Sequence, residues 1–139
     1  MFSPSRLRCF GALLALVLLV ITVPLEAQAQ EARQSALREA FAAGDARAVL
    51  QRAAGHVEVG LLGNSSQYSR SQAVYVLDTF FDDHPPRRFE WKDTSTNGDS
   101  RFLTGRYWYE ASKQAMPVYL RLSRASEGWR LQEVRIERP

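Results

Sequence analysis

The chain predicts an α+β fold, with helices gathered ahead of an antiparallel sheet. Two patterns carry the expectation. Between Glu31 and Asp83 apolar residues recur mainly at three- and four-residue spacing, as on a helix with one buried face. Between Arg87 and Glu137 they alternate with polar residues and are broken by short turn signals, as in half-buried strands.

The first element is not part of that fold. Arg6 and Arg8 precede an apolar run from Ala12 to Val23, in which Thr22 is the one polar residue and which Pro24 ends, and Ala27-Gln28-Ala29 follows as a small-x-small cleavage pattern. Residues 1–29 are therefore expected to be a signal peptide, and residues 30–139 a single exported domain, periplasmic or extracellular. The run from Ala12 to Val23 is shorter than the ~20 residues a membrane-spanning helix needs, so no transmembrane anchor is expected after cleavage. Cys9, the one cysteine, precedes the apolar run, so the mature chain carries none. Without disulfides it must be held by its core. Removing Arg6, Arg8 and Glu26 from 18 basic and 15 acidic residues leaves 16 and 14, a net charge of +2.

The stretch "EARQSALREAFAAGDARAVLQRAAGH" starts the domain with a helix whose stripe is Ala36, Leu37, Ala40 and Phe41. Gly44 suits the position just past its end, and Asp45 the N-cap of a second short helix. That helix is expected to bury Val49, Leu50 and Ala53 and to stop at Gly55. "HVEVGLL" then alternates as a strand. After turn residues from Asn64, Ser69-x-x-Gln72 forms a capping box. Ala73, Val76, Leu77, Phe80 and Phe81 follow at helical spacing, giving a third helix over roughly 70–83.

Beyond Pro85-Pro86 four strands are expected. "RRFEWKDTS" sets Phe89 and Trp91 on one face, and "NGD" (97–99) is a hairpin turn. "RFLTGRYWYEA", "PVYLRLS" and "WRLQEVRIE" complete a meander, the last two joined through Ser126-Glu127-Gly128. Leu131 is out of phase with Val134 and Ile136, which predicts a bulge.

This order, with "LREAFAAGDARAVL", resembles the nuclear transport factor 2-like (cystatin-like) superfamily. The pieces "VEVGLLGNSSQYSRSQAVYVLDTFF", "FLTGRYWY" and "GWRLQEVRIE" resemble, within it, an exported bacterial family known as domain of unknown function 4783. The resemblance implies a cone: three N-terminal helices packed on a curved antiparallel sheet. The chain departs from that family where Met116-Pro117 stands in place of an aromatic-Arg pair. Superfamily members include isomerases, dehydratases and binding domains, so function must come from the site.

Asp82, Asp83 and His84 stand side by side, but consecutive helical residues do not converge. His84 precedes a proline, which pushes it to extended backbone. The trio reads as a helix end, and neither a metal nor a cofactor is expected. Resemblance to superfamily enzymes directs attention to ionisable strand residues inside a cone, here His56, Glu58, Arg106, Glu110 and Glu133. Burial there would raise a carboxylate toward the range of a general base. No acid–base spacing specific to those enzymes accompanies them.

Arg121, Arg124, Arg130, Arg135 and Arg138 crowd the C-terminal hairpin, but Glu127, Glu133 and Glu137 are interleaved. Without an RNA-binding aromatic motif beside them, no nucleic-acid partner is expected. In the third strand of the fold Trp108 alternates against Tyr107 and Tyr109, so both faces carry large rings. The face turned from the helices is the expected contact surface, for a homodimer or a protein partner, because aromatic side chains suit interface cores. Trp108, Tyr107, Tyr109, Arg106 and Glu110 are its candidate binding residues. The resulting expectation is a non-catalytic ligand- or partner-binding module of the bacterial cell envelope. The rival is a cofactor-free lyase or isomerase with Glu110 or Glu133 as its base.

Overall fold

The computed structural model describes residues 22–110 and 112–139. The charged and apolar parts of the expected leader, with Cys9, lie outside the described residues, apart from the end of the run at Thr22 and Val23. None of the described helices is long and apolar enough to cross a membrane.

Helix α1 (Leu25–Ala43) begins directly after Pro24, so the expected cleavage point at Ala29 falls within its early turns. It ends as Gly44 swings to φ 67°, a left-handed backbone that glycine adopts without a Cβ clash. The amides of Gly44 and Asp45 then donate to the carbonyls of Phe41 and Ala40 at 3.2 and 2.9 Å. Asp45 caps α2 (Ala46–Val49) by accepting the Ala48 amide at 3.1 Å. Helix α2 is a single turn, shorter than expected. Ala53 and Gly55 belong instead to β1 (Ala53–Leu61).

A strand absent from the sequence reading comes next. β2 (Asn64–Ser69) folds back on β1 through Leu62 and Gly63, both at positive φ, the geometry of the tightest hairpins. Only then does α3 (Arg70–Asp83) follow, with both hydrogen bonds of its Ser69/Gln72 capping box formed. The helices are thus not one N-terminal block, since a hairpin separates α3 from α1 and α2.

The meander forms with its expected turns: β3 (Pro86–Asn97), β4 (Ser100–Tyr109), β5 (Met116–Ala125) and β6 (Gly128–Ile136). The six strands make one curved sheet in the order β2-β1-β6-β5-β4-β3. All neighbours are antiparallel except β1 and β6, which run parallel. The sheet is therefore mixed, not purely antiparallel. A parallel neighbour was not foreseeable locally, because β1 returns beside a strand laid down at the far end of the chain.

The bulge expected near Leu131 is present. Arg121 pairs with Glu133 and Leu122 with Leu131, so Gln132 is the extra residue. It turns Leu131, Val134 and Ile136 all inward, where each is buried. A second bulge at Lys92 interrupts β3.

The core lies between the helices and the inner face of the sheet. Phe41 of α1 stacks on Phe89 at 4.7 Å between ring centres and meets Phe81 edge-on. Trp91 donates its indole N–H to the carbonyl of Gln34 at 2.9 Å, pinning α1 to β3. Gly105 of β4 is required here, since a Cβ would stand 2.6 Å from the Phe89 ring and 2.9 Å from the Glu90 carbonyl.

Candidate functional site

The core does not fill the whole concave side. Toward its N-terminus α1 turns small residues, Ala29, Ala32 and Ala36, toward the β5–β6 hairpin instead of another aromatic ring. A cleft of about 420 Å³ remains there, walled mainly by these alanines and by Leu37, Val49, Leu122 and Leu131, with Gln51 and Arg52 also lining it.

Trp129 and Arg33 form the boundary between this apolar cleft and an adjoining hollow of about 310 Å³. Strand register explains the second compartment. Arg101 pairs with Leu122 and Arg124 with Trp129, so these four side chains share the inner face at the sheet's end. The guanidinium carbons of Arg101 and Arg124 lie 4.3 and 5.0 Å from the Trp129 ring centre. Arg33 enters from α1, its guanidinium occupying the space beside Gly128, where a Cβ would be 3.5 Å away.

Two cations thus lie against one indole, and a third lines the same hollow. Cation–π contact offsets part of their crowding. Arg101 is held below the ordinary arginine range, first by burial, then by the charges of Arg124 and Arg33. Among the described residues, no carboxylate lies within ion-pair distance of any of the three. Among the described residues Arg101 donates to the Thr96 hydroxyl, at 3.2 Å. Glu26 and Ala29 also line this hollow, and both belong to residues 1–29, which the expected cleavage removes.

The outer face is different. Glu133, with 16% of its side chain exposed, accepts from Arg121 at 3.3 Å and from Arg135 at 2.5 Å. Arg135 also reaches Glu137, and Arg130 pairs with Glu127. Glu58 stands opposite Glu133 in register and accepts from Ser65 at 2.6 Å. The hairpin arginines that looked like one cluster therefore divide: Arg121 and Arg135 are paired outside, and Arg124 lies inside with no carboxylate partner among the described residues.

The five candidate contact residues are not brought together. Tyr107 points inward and is wholly buried, its hydroxyl donating to the His84 carbonyl. Burial pushes that hydroxyl above the ordinary phenol range. Trp108 does face outward, but Arg88 stacks on its ring at 3.9 Å and only 9% of the residue is exposed. Tyr109 meets the edge of His84. Arg106 and Glu110 are exposed. The open aromatics of the outer face are instead Phe102 and Tyr119, at 41% and 44% exposure.

The ionisable residues considered for a cone interior lie elsewhere. His56 and Glu110 are exposed, Glu58 and Glu133 sit on the outer face, and no charged residue is buried among those described. Asp82 and Asp83 are exposed at the end of α3. His84 is its C-cap, stacked on Phe80 at 4.5 Å with Nδ1 3.2 Å from the Phe80 carbonyl, as the helix-end reading expects.

Arg33 and Arg101 were missed. A signal for each exists: Arg33 continues the Leu37/Phe41 stripe one turn back, and Arg101 is in phase with Leu103 and Tyr107. An arginine at an inward position of both elements is the pattern to read.

Helices covering one side of a strongly curved sheet define the nuclear transport factor 2-like class, also called cystatin-like. Solved structures agree on that fold. A nuclear transport factor 2-like protein of unknown function from Silicibacter pomeroyi aligns with a TM-score of 0.56 at 18% identity, over 81% of this chain and 96% of that one. A domain of unknown function with a cystatin-like fold from Nostoc punctiforme gives 0.63 at 13%, over 85% and 80%. Within this class the chain belongs to the family described as domain of unknown function (DUF4783), which matches residues 34–137. A family member from Bacteroides ovatus has a TM-score of 0.69 at 16% identity, over 76% of this chain and 94% of that one. At such identities the likeness to solved structures speaks for the fold alone. No curated protein matches the chain.

Proposed function

We propose that the chain is an exported, non-catalytic binding module of the bacterial cell envelope. In this reading residues 1–29 are removed and an anionic ligand is held in the cleft between α1 and the β5–β6 hairpin. One observation carries it: Arg101 and Arg124 stack on Trp129 and Arg33 lines the same hollow, beside a largely apolar cleft, with no carboxylate in ion-pair range among the described residues. Neither Glu110 nor Glu133, the bases of the rival enzyme reading, lines that cleft.

Complementation of a deletion strain separates the two. Arg101→Gln combined with Arg124→Gln should abolish it in a folded protein, whereas Glu110→Gln and Glu133→Gln should restore the strain fully. The reverse pattern favours the enzyme. Mass spectrometry of the exported protein should find an N-terminus at or near Gln30, and an intact Met1 in that fraction would contradict export with cleavage.

A second reading, self-association through the outer sheet face, draws on the exposure of Phe102 and Tyr119. They are diagonal neighbours across β4 and β5, so both rings belong to one stretch of the outer face. Sedimentation at rising concentration should show a dimer that Tyr119→Asp dissolves. A strict monomer removes this reading.

A further inference from the structure

The proposed cleft is chemically divided, and the division specifies a ligand. This inference rests on the cleft-binding reading above. At one end the walls are mostly alanine, leucine and valine side chains, which offer a ligand no hydrogen bond, with the exposed Gln51 and Arg52 as the polar residues beside them. At the other end Arg33, Arg101 and Arg124 supply donors and positive charge. Trp129 is common to both compartments, so a molecule passing its ring would be apolar on one side and anionic on the other.

Simpler ligands leave one half unmatched. A sugar would lose its hydration against Leu37, Leu122 and Leu131 and find only Gln51 and Arg52 there as partners, which is costly for each hydroxyl left unpaired. A small inorganic anion would engage the arginines but leave the apolar wall in water. A neutral hydrocarbon would fill the wall and leave three crowded cations uncompensated. The cleft volume of about 420 Å³ lies within the ~300–1,000 Å³ usual for small-ligand sites.

We infer that the ligand is a single-chain anionic amphiphile. Its carboxylate or phosphate head sits among Arg33, Arg101 and Arg124, and its hydrocarbon tail lies along Leu37, Leu122 and Leu131. A free fatty acid and a phosphate-headed single-chain lipid share this chemistry, and the head preferred by the protein distinguishes them.

Titration calorimetry on the protein purified from its producing cell tests this, with each probe kept below its micelle concentration. Sodium decanoate or decyl phosphate should bind saturably with one site per chain, and the tighter of the two identifies the head. Affinity should rise about fourfold per methylene from octanoate to decanoate, as burial of each group in an apolar wall predicts. Acetate and decanol should each bind at least about tenfold more weakly, since each lacks half of the match. Arg101→Gln combined with Arg124→Gln should lower decanoate affinity by about tenfold or more and leave decanol unchanged. Arg121→Gln, on the outer face, should change neither. Equal affinity for decanol and decanoate, no chain-length dependence, or no binding of any amphiphile overturns the inference. Arginine-dependent binding of inorganic phosphate without binding of decanoate or decyl phosphate also overturns it, yet leaves the cleft as a binding site. Failure of the cleft reading itself would show differently, as full complementation by the double arginine variant.

Discussion

Two ends of the same concave side differ in what α1 turns toward the sheet. Near its C-terminus the helix contributes Phe41, which stacks on Phe89, meets Phe81 and Trp91 by their edges, and leaves no opening. Near its N-terminus the flank turned toward β5 and β6 carries Ala32, Arg33 and Ala36, and the cleft stays open. One helix therefore builds both a core and a site. The difference is one of side-chain volume and charge, not of backbone. Packing stability is concentrated where large rings interlock, so the open end is free to keep an arrangement that stabilises the fold little.

The most forceful way to break this contrast is to empty the filled end. Phe41 is wholly buried, so Phe41→Ala should cost about 3–5 kcal/mol in chemical denaturation. The equivalent truncation at the open end, Leu37→Ala, should cost clearly less, because Leu37 already borders a cleft. Equal losses would mean that the cleft is closed in solution.

Overfilling is the next largest perturbation. Gly105→Ala drives a methyl into the Phe89 ring and the Glu90 carbonyl, and backbone cannot step aside cheaply. A loss of about 2–3 kcal/mol is expected, at the upper part of the usual range for overpacking. Ala36→Leu adds a larger side chain but projects it into open space beside Trp129. Its melting temperature should stay near that of the wild type while ligand capacity falls. A collapse of stability in Ala36→Leu would show that the open end is packed after all.

The two ends were not equally legible in the sequence. At the filled end the signals are local: Gly44 and Asp45 cap their helices, Ser69 and Gln72 form their box, and Phe89 and Trp91 alternate as a buried strand face should. Gln132 bulges where the phase of Leu131 breaks. The open end depends on long-range placement. Arg33, Arg101 and Arg124 come from three elements and meet only after the meander is registered and α1 is docked. Strand β2 was invisible for another reason. "NSSQYS" is polar and mostly exposed, so it has no alternation to detect, and its hairpin uses Leu62 at φ 54°, a residue type that does not announce positive φ. The pairing of β1 with β6 likewise has no local signature.

Charge offers a finer test, by setting the outer face against the cleft. Glu133 accepts from two arginines and is mostly covered, so Glu133→Gln should lower stability by about 1 kcal/mol, the upper end for partly exposed ion pairs. High salt should shrink that difference, because the arginine partners are exposed enough to be screened. No salt effect would imply that packing, not charge, holds this network.

The smallest expected effect is the most discriminating, because its sign matters more than its size. Arg101→Gln removes a cation that stands near Arg124 and Arg33 and has no carboxylate partner among the described residues. Its hydrogen bond to Thr96 can be kept by the amide, and the lost stacking on Trp129 is opposed by relief of like-charge repulsion. Stability should therefore move by no more than about 0.5 kcal/mol, and upward if repulsion outweighs stacking. Arg121→Gln, which strips Glu133 of one partner, should move it downward. If Arg101→Gln were the more damaging of the two, the guanidinium would be a structural strut. If it is neutral or stabilising alone yet weakens ligand binding, its position is explained by the ligand and not by the fold.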